Sequence, residues 1–159
     1  MTGRRFVVAC TVVLVATGAV PMGQVDNPHL GTWKLNPGKS KYNAGSAPKS
    51  GTTKIEPAGA GVKYTVEQTL ADGTSRHWEF TANYDGKDVR VSGENPLGNT
   101  VALTRVDART VRIVSKQDGK LTVNQTSVVS SDGKSRTVTT KGTSPSGEAV
   151  AGTIVYERQ

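Results

Sequence analysis

The chain has 159 residues, a formal net charge of +7 and one cysteine, Cys10. That length suits one domain, and a lone thiol excludes a disulfide framework and cysteine-rich metal sites. Only 5% of residues are aromatic, and Lys and Arg are interleaved with Asp, Glu and Thr. This excludes the basic stripe with stacking aromatics that a nucleic-acid binder needs, so the charge reads as a solvated surface.

Residues 1–19 have the layout of a secretory signal peptide. Met1–Arg5 is basic, Phe6–Val15 is apolar, and Ala16-Thr17-Gly18-Ala19 supplies small residues for cleavage. A cut as late as Gly23 is the alternative. The apolar run is too short to span a bilayer, and Cys10 lies inside it rather than just after it, which argues against a lipid anchor. The expectation is a secreted or periplasmic protein that is not integral to a membrane. Setting Arg4 and Arg5 aside leaves +5 on the exported part.

Residues 20–30 read as a lead-in and 31–159 as one domain. Gly31–Asn36 predicts a first strand, ended by Asn36-Pro37-Gly38 because proline cannot continue a ladder. Lys39–Ser50 lacks apolar periodicity and predicts a loop, with one helical turn near Ser40–Tyr42. Alternation of period two follows. Val62, Tyr64 and Val66 oppose Lys63, Thr65 and Glu67, and Trp78, Phe80 and Ala82 oppose His77, Glu79 and Thr81. Val89/Val91, Val101/Leu103, Val111/Ile113, Leu121/Val123, Val138 and Ile154/Tyr156 continue the pattern, which is that of half-buried strands.

Asp72-Gly73, Asp85-Gly86, Asp118-Gly119 and Asp132-Gly133 punctuate these strands. Asp-Gly suits tight hairpins whose two central residues both have positive φ. Ala58–Gly61, Asn95–Gly98, Asp107-Ala108 and Ser144–Gly147 supply further turns. The fold class is therefore all-β: an antiparallel up-and-down meander of about ten strands. Closing it into a barrel removes the exposed edges that an open sheet would leave.

Gly31-Thr32-Trp33-Lys34-Leu35 and Val155-Tyr156-Glu157-Arg158 carry a resemblance. They look like the two ends of calycin barrels, above all the intracellular fatty-acid-binding proteins, with lipocalins sharing the Gly-x-Trp motif. The chain also resembles bacterial exported lipocalin-like proteins. The resemblance implies a ten-stranded barrel holding a lipid in its lumen. The motif leads us to expect that Gly31 lets the chain pass close to a neighbour, that Trp33 plugs one barrel end, and that Arg158 can lie over the Trp33 ring. Two departures stand out. The family's arginine two residues before the final tyrosine is replaced by Ile154. Its second arginine, after an Asp-Gly-Lys turn, falls in Asn124-Gln125-Thr126. The anionic anchor is thus expected to be missing, and the loop 39–50 replaces the family's helical lid.

Alternation makes Tyr64, Trp78, Phe80, Leu103, Arg105, Gln125, Ile154 and Tyr156 the candidate ligand-binding residues of the lumen. Arg76, Arg105 and Arg136 share parity with apolar residues. The simpler reading places all three at barrel rims with solvated heads; the alternative makes Arg105 a substitute anchor. Small Val, Thr and Ala side chains should leave the lumen partly unfilled.

Signs of catalysis are absent. His29 and His77 lack ligand partners at metal-site spacing, a haem on His77 lacks a paired ligand, and most aspartates are explained by turns. No cofactor is implied. The expectation is a non-enzymatic exported barrel that binds a small hydrophobic or amphipathic molecule. The alternative is an envelope interaction or structural module with no lumen ligand.

Overall fold

The computed structural model describes residues 26–43 and 48–159. The expected export signal, its alternative cut at Gly23 and the start of the lead-in lie outside the described residues.

Twelve strands form one antiparallel sheet: β1 (Gly31–Leu35), β2 (Lys41–Tyr42), β3 (Pro48–Ala58), β4 (Gly61–Leu70), β5 (Ser75–Ala82), β6 (Val89–Arg90), β7 (Ser92–Gly93), β8 (Thr100–Arg105), β9 (Thr110–Gln117), β10 (Lys120–Val129), β11 (Ser135–Thr143) and β12 (Ala149–Arg158). Their order, β6-β8-β9-β10-β11-β12-β1-β3-β4-β5-β7, is a meander whose last strand pairs with its first. The remaining seam is spanned by one short segment. Its first half, β6, pairs with β8; its second half, β7, pairs with β5; the switch falls at buried Val91. With β6 and β7 taken as one interrupted strand, ten strands surround the barrel, as the sequence predicts.

The region after β1 differs from expectation. The helical turn is a 3-10 turn at Pro37–Lys39, upstream of Ser40–Tyr42, because the Asn36 side chain caps it by accepting from Lys39 N–H at 3.1 Å. Lys41–Tyr42 is extended and pairs with Thr153 and Gly152 of β12. β3 already begins at Pro48, inside the predicted loop.

The Asp-Gly turns are of two kinds. Gly73, Gly86, Gly119 and Gly133 all have positive φ, but among the described aspartates only Asp118 does, at 51°. Asp118-Gly119, between paired Gln117 and Lys120, is thus the two-residue turn that the dipeptide predicts. At the other three sites the aspartate carboxylate accepts from the backbone N–H two residues on, at Thr74 (2.8 Å), Lys87 (3.1 Å) and Lys134 (3.0 Å). These are Asx turns, in which aspartate serves as an acceptor rather than as a left-handed residue.

A bulge corrects one predicted face. Leu121 pairs with Lys116 and Val123 with Ser115, so Thr122 is an extra residue in β10. Its hydroxyl donates to the carbonyls of Ser115 and Leu97. One added residue reverses the side-chain alternation. Leu121 therefore points outward, 59% exposed, whereas Val123 is fully buried.

One end of the barrel is sealed. The Trp33 ring is fully buried, and its indole N–H donates to the His29 carbonyl at 2.8 Å. The Arg158 guanidinium stacks 4.2 Å from the Trp33 centroid and donates to the carbonyls of Leu30, Pro28 and Gly133. It thereby ties the lead-in and the β10–β11 turn to the last strand. Gly31 has φ +119°, and a Cβ there would lie 2.6 Å from Arg158 Nη1. The sequence assigns Gly31, Trp33 and Arg158 structural roles, and these contacts are the form those roles take. Gly31→Ala is expected to cost about 2–3 kcal/mol, from backbone strain plus displacement of the arginine. A lower urea midpoint at unchanged slope checks it.

His29 completes the seal. Its ring is fully buried, Nε2–H donates to the Arg109 carbonyl (3.0 Å), and Nδ1 has no partner among the described residues. Burial, then the charge of Arg136, lowers its pKa from 6.5 to about 4. The unfolded chain therefore takes up this proton first. The associated stability is complete above pH 6.5 and is lost as pH falls towards 4. Between pH 7 and pH 5 the loss should be about 2 kcal/mol. Asp72, Asp107, Asp118 and Asp132 are held below their ordinary value by hydrogen bonds, so their contributions fade only at lower pH. Urea midpoints across that window check the value, and in His29→Gln the slope should disappear.

Candidate functional site

Above the seal the lumen is not filled. A cavity of about 240 Å³ opens at the other end, lined there by Asn43, Pro48 and the β7–β8 and β11–β12 connections. Strand alternation places its walls. On β4 and β5, Tyr64 and Phe80 are directly paired and their rings stack at 4.9 Å and 11°; Val66 and Trp78 continue the wall upward. On β9, β10 and β11 the wall carries Ser115, Gln125 and Thr140, where Gln125 Nε2 donates to Thr140 Oγ1 at 3.1 Å. Ile154 and Tyr156 enter from β12.

Six of the eight predicted lumen residues line this cavity: Tyr64, Trp78, Phe80, Gln125, Ile154 and Tyr156. The other two lie elsewhere. Leu103 is fully buried in the hydrophobic cluster near the sealed end. Arg105 sits at the foot of β8, its guanidinium 4.2 Å from the Tyr84 centroid, and borders a second pocket, of about 470 Å³, with Asn27, Leu30 and Val62.

The three arginines of inward parity separate. Arg76 lines the cavity and is half-buried. Arg105 stacks on Tyr84, and its Nη1 is buried without a hydrogen-bond partner among the described residues. Arg136 is the departure from expectation: it is no solvated rim residue but 4% exposed, at the deep end of the cavity. It pairs across the ladder with Tyr156, and its guanidinium carbon lies 4.8 Å from that ring and 6.0 Å from the rings of both Trp33 and Tyr64. Its Nε and Nη1 are buried without hydrogen-bond partners among the described residues, as is the Tyr64 hydroxyl. A cation at the cavity floor is therefore present, on a different strand from those that the resemblance pointed to. Its signal in the sequence was its parity with Val138 and Thr140 and its place opposite the closing tyrosine.

The N–H groups of a guanidinium make strong charge-assisted hydrogen bonds to anions. Burial pushes the Tyr64 hydroxyl up to about 12, so it stays a neutral donor. Cation–π contact offsets only part of the desolvation cost of Arg136. Two arginines, Arg76 and Arg136, one carboxylate, Glu148, an aromatic plate and several neutral donors thus line the space. Among the described residues no group of three or more His, Cys, Asp or Glu could hold a metal ion, and no helix is long and apolar enough to cross a membrane.

Replacing the buried cation with an apolar chain of similar length should stabilise the empty barrel. Arg136→Met is expected to raise its unfolding free energy by about 1–3 kcal/mol, read as a higher urea midpoint.

No family model matches the chain, and no curated protein does. Among solved structures, the chain is similar to a zebrafish ileal bile acid-binding protein complexed with cholic acid. The TM-score is 0.47 at 14% identity, covering 83% of this chain and 99% of that one. The barrel itself stands on this chain's own strand pairing, from β1 round to β12.

Proposed function

We propose that this protein is an exported binding barrel whose lumen takes up a small amphipathic anion, with the charged group held deep against Arg136. One observation carries the reading: a guanidinium that is 4% exposed, with two nitrogens partnerless among the described residues, lines the deep end of an open cavity beside aromatic rings. An isolated cation in such a place is costly unless an anion meets it. The Tyr64 hydroxyl, also partnerless, supplies a neighbouring donor.

Size supports a compact ligand. The cavity of about 240 Å³ lies below the roughly 300–1,000 Å³ usual for drug-sized ligands. The unfilled lumen also favours binding over the alternative of a structural module with a side-chain-filled barrel. Export rests on the basic, apolar and small-residue succession of residues 1–19. A secreted or periplasmic carrier without a catalytic step is the role that fits these features together.

An environment-sensitive anionic dye, 1-anilinonaphthalene-8-sulfonate, tests the reading. The dye should brighten on binding and be displaced by decanoate at least tenfold more effectively than by decanol, which has the same chain without the charge. Arg136→Met should remove that difference while leaving the fold intact by circular dichroism. Equal displacement by acid and alcohol, or no binding of either, would sink the proposal.

A further inference from the structure

The walls of the cavity differ in chemistry, and the difference is built into opposite sides of the barrel. Around the ten-strand circuit, β4 stands five places from β10 in either direction. The β4–β5 wall presents the Tyr64–Phe80 stack and Trp78, with the Gln68–Arg76 pair next along the strands. The β9–β11 wall presents Ser115, Gln125 and Thr140, on three adjacent strands. Gln125 faces Thr140 directly across the ladder, and Ser115 faces Val123, two residues along β10 from Gln125. The polar groups therefore form one patch rather than a scatter.

That patch faces the cavity from largely buried positions, with Gln125 half-buried. Ser115 is 1% and Thr140 5% exposed. The Gln125–Thr140 bond uses one amide proton and one lone pair of the hydroxyl oxygen. Among the described residues the Thr140 hydroxyl proton, the Gln125 carbonyl oxygen and the Ser115 hydroxyl make no other side-chain hydrogen bond. A donor and an acceptor thus sit side by side, across the lumen from the aromatic side chains of β4 and β5. Buried polar groups of this kind are ordinarily paired, by protein, water or ligand. They lie well above the cation: Thr140 is four residues up β11 from Arg136, or roughly 13 Å along the strand.

We infer that the ligand carries, besides its deep anionic group, an oxygen function on its far half that hydrogen-bonds to the Gln125–Thr140 pair, so that the barrel selects short oxygenated acids, such as hydroxy acids, over plain alkyl acids. The inference rests on the proposed anion site and deepens it. An apolar flank against Tyr64, Phe80 and Trp78 supplies affinity. The oxygen supplies discrimination, because a plain chain leaves the patch desolvated and unpaired.

Decanoate and 10-hydroxydecanoate, which differ by one hydroxyl, are compared by displacement of the same dye. The hydroxy acid should bind about tenfold more tightly to the wild-type protein. Thr140→Val, nearly isosteric, and Gln125→Leu should each bring the ratio close to one while decanoate affinity changes less than threefold. Arg136→Met should weaken both acids together. Equal binding of the two acids by the wild type, with both still dependent on Arg136, overturns the oxygen preference and leaves the anion site standing. A preference that survives in both Thr140→Val and Gln125→Leu overturns the assignment to this patch. Failure of both acids to bind overturns the two readings at once. Should either variant fail to fold, the wild-type ratio and the other variant still decide.

Discussion

β1 and β12 pair over only three positions, Trp33↔Arg158 to Leu35↔Tyr156, yet this contact turns a meander into a barrel. The two strands are separated by nearly the whole described chain, so their pairing carries a large loop-closure cost and is an intrinsically slow contact to form. Three ladder positions alone are weak compensation. The remainder comes from side chains at the joint: the Trp33 ring under Arg158, the three carbonyls that Arg158 binds, and the indole bond to the His29 carbonyl. The lead-in is thus part of the closure, since Pro28, His29 and Leu30 supply acceptors that no strand provides.

The same joint locates the cavity. Trp33, Leu103 and His29 fill one end of the barrel, and Arg136 and Tyr156 lie where that packed layer stops. Arg136 then has one side against aromatic rings and the other towards open lumen. His29 and Arg136 sit near enough for the arginine's charge to lower the histidine's pKa. The neutral histidine spares the floor of the cavity a second positive charge at neutral pH. Stability and binding are therefore set by neighbouring groups, and a change in either is felt by the other.

On the proposed reading, function and stability pull in opposite directions at Arg136. An apolar replacement suits the empty barrel better; an anion suits the arginine. Retaining a desolvated cation with unmade hydrogen bonds makes physical sense when a ligand completes them. Polarity elsewhere in the lumen follows a gentler rule. Ser115, Gln125 and Thr140 are neutral, cost less to bury, and lie opposite the aromatic wall, so the cavity can hold a molecule with unlike sides.

Much of this architecture was legible in the sequence. Alternation marked Tyr64, Trp78, Phe80 and Tyr156 as inward because a strand's side chains have a strict period of two, and that period survives wherever pairing is regular. Where pairing is irregular the inference broke: the bulge at Thr122 turned Leu121 outward, and the Asn36 cap drew the short helical turn upstream. The turns were placed correctly by Asp-Gly, but their conformations depended on which backbone N–H each carboxylate could reach. Parity alone put Arg76, Arg105 and Arg136 on the inner face; it could not rank them. Their different fates depend on depth along the barrel and on neighbours from distant strands, Tyr84 for Arg105 and Tyr156 with Trp33 for Arg136. Sequence by itself determined strand order, turn sites and inward faces, because these follow from local periodicity and backbone preference. Tertiary structure alone decided which cation became buried and which polar groups share a wall, because burial and proximity are set by how ten strands close around one space.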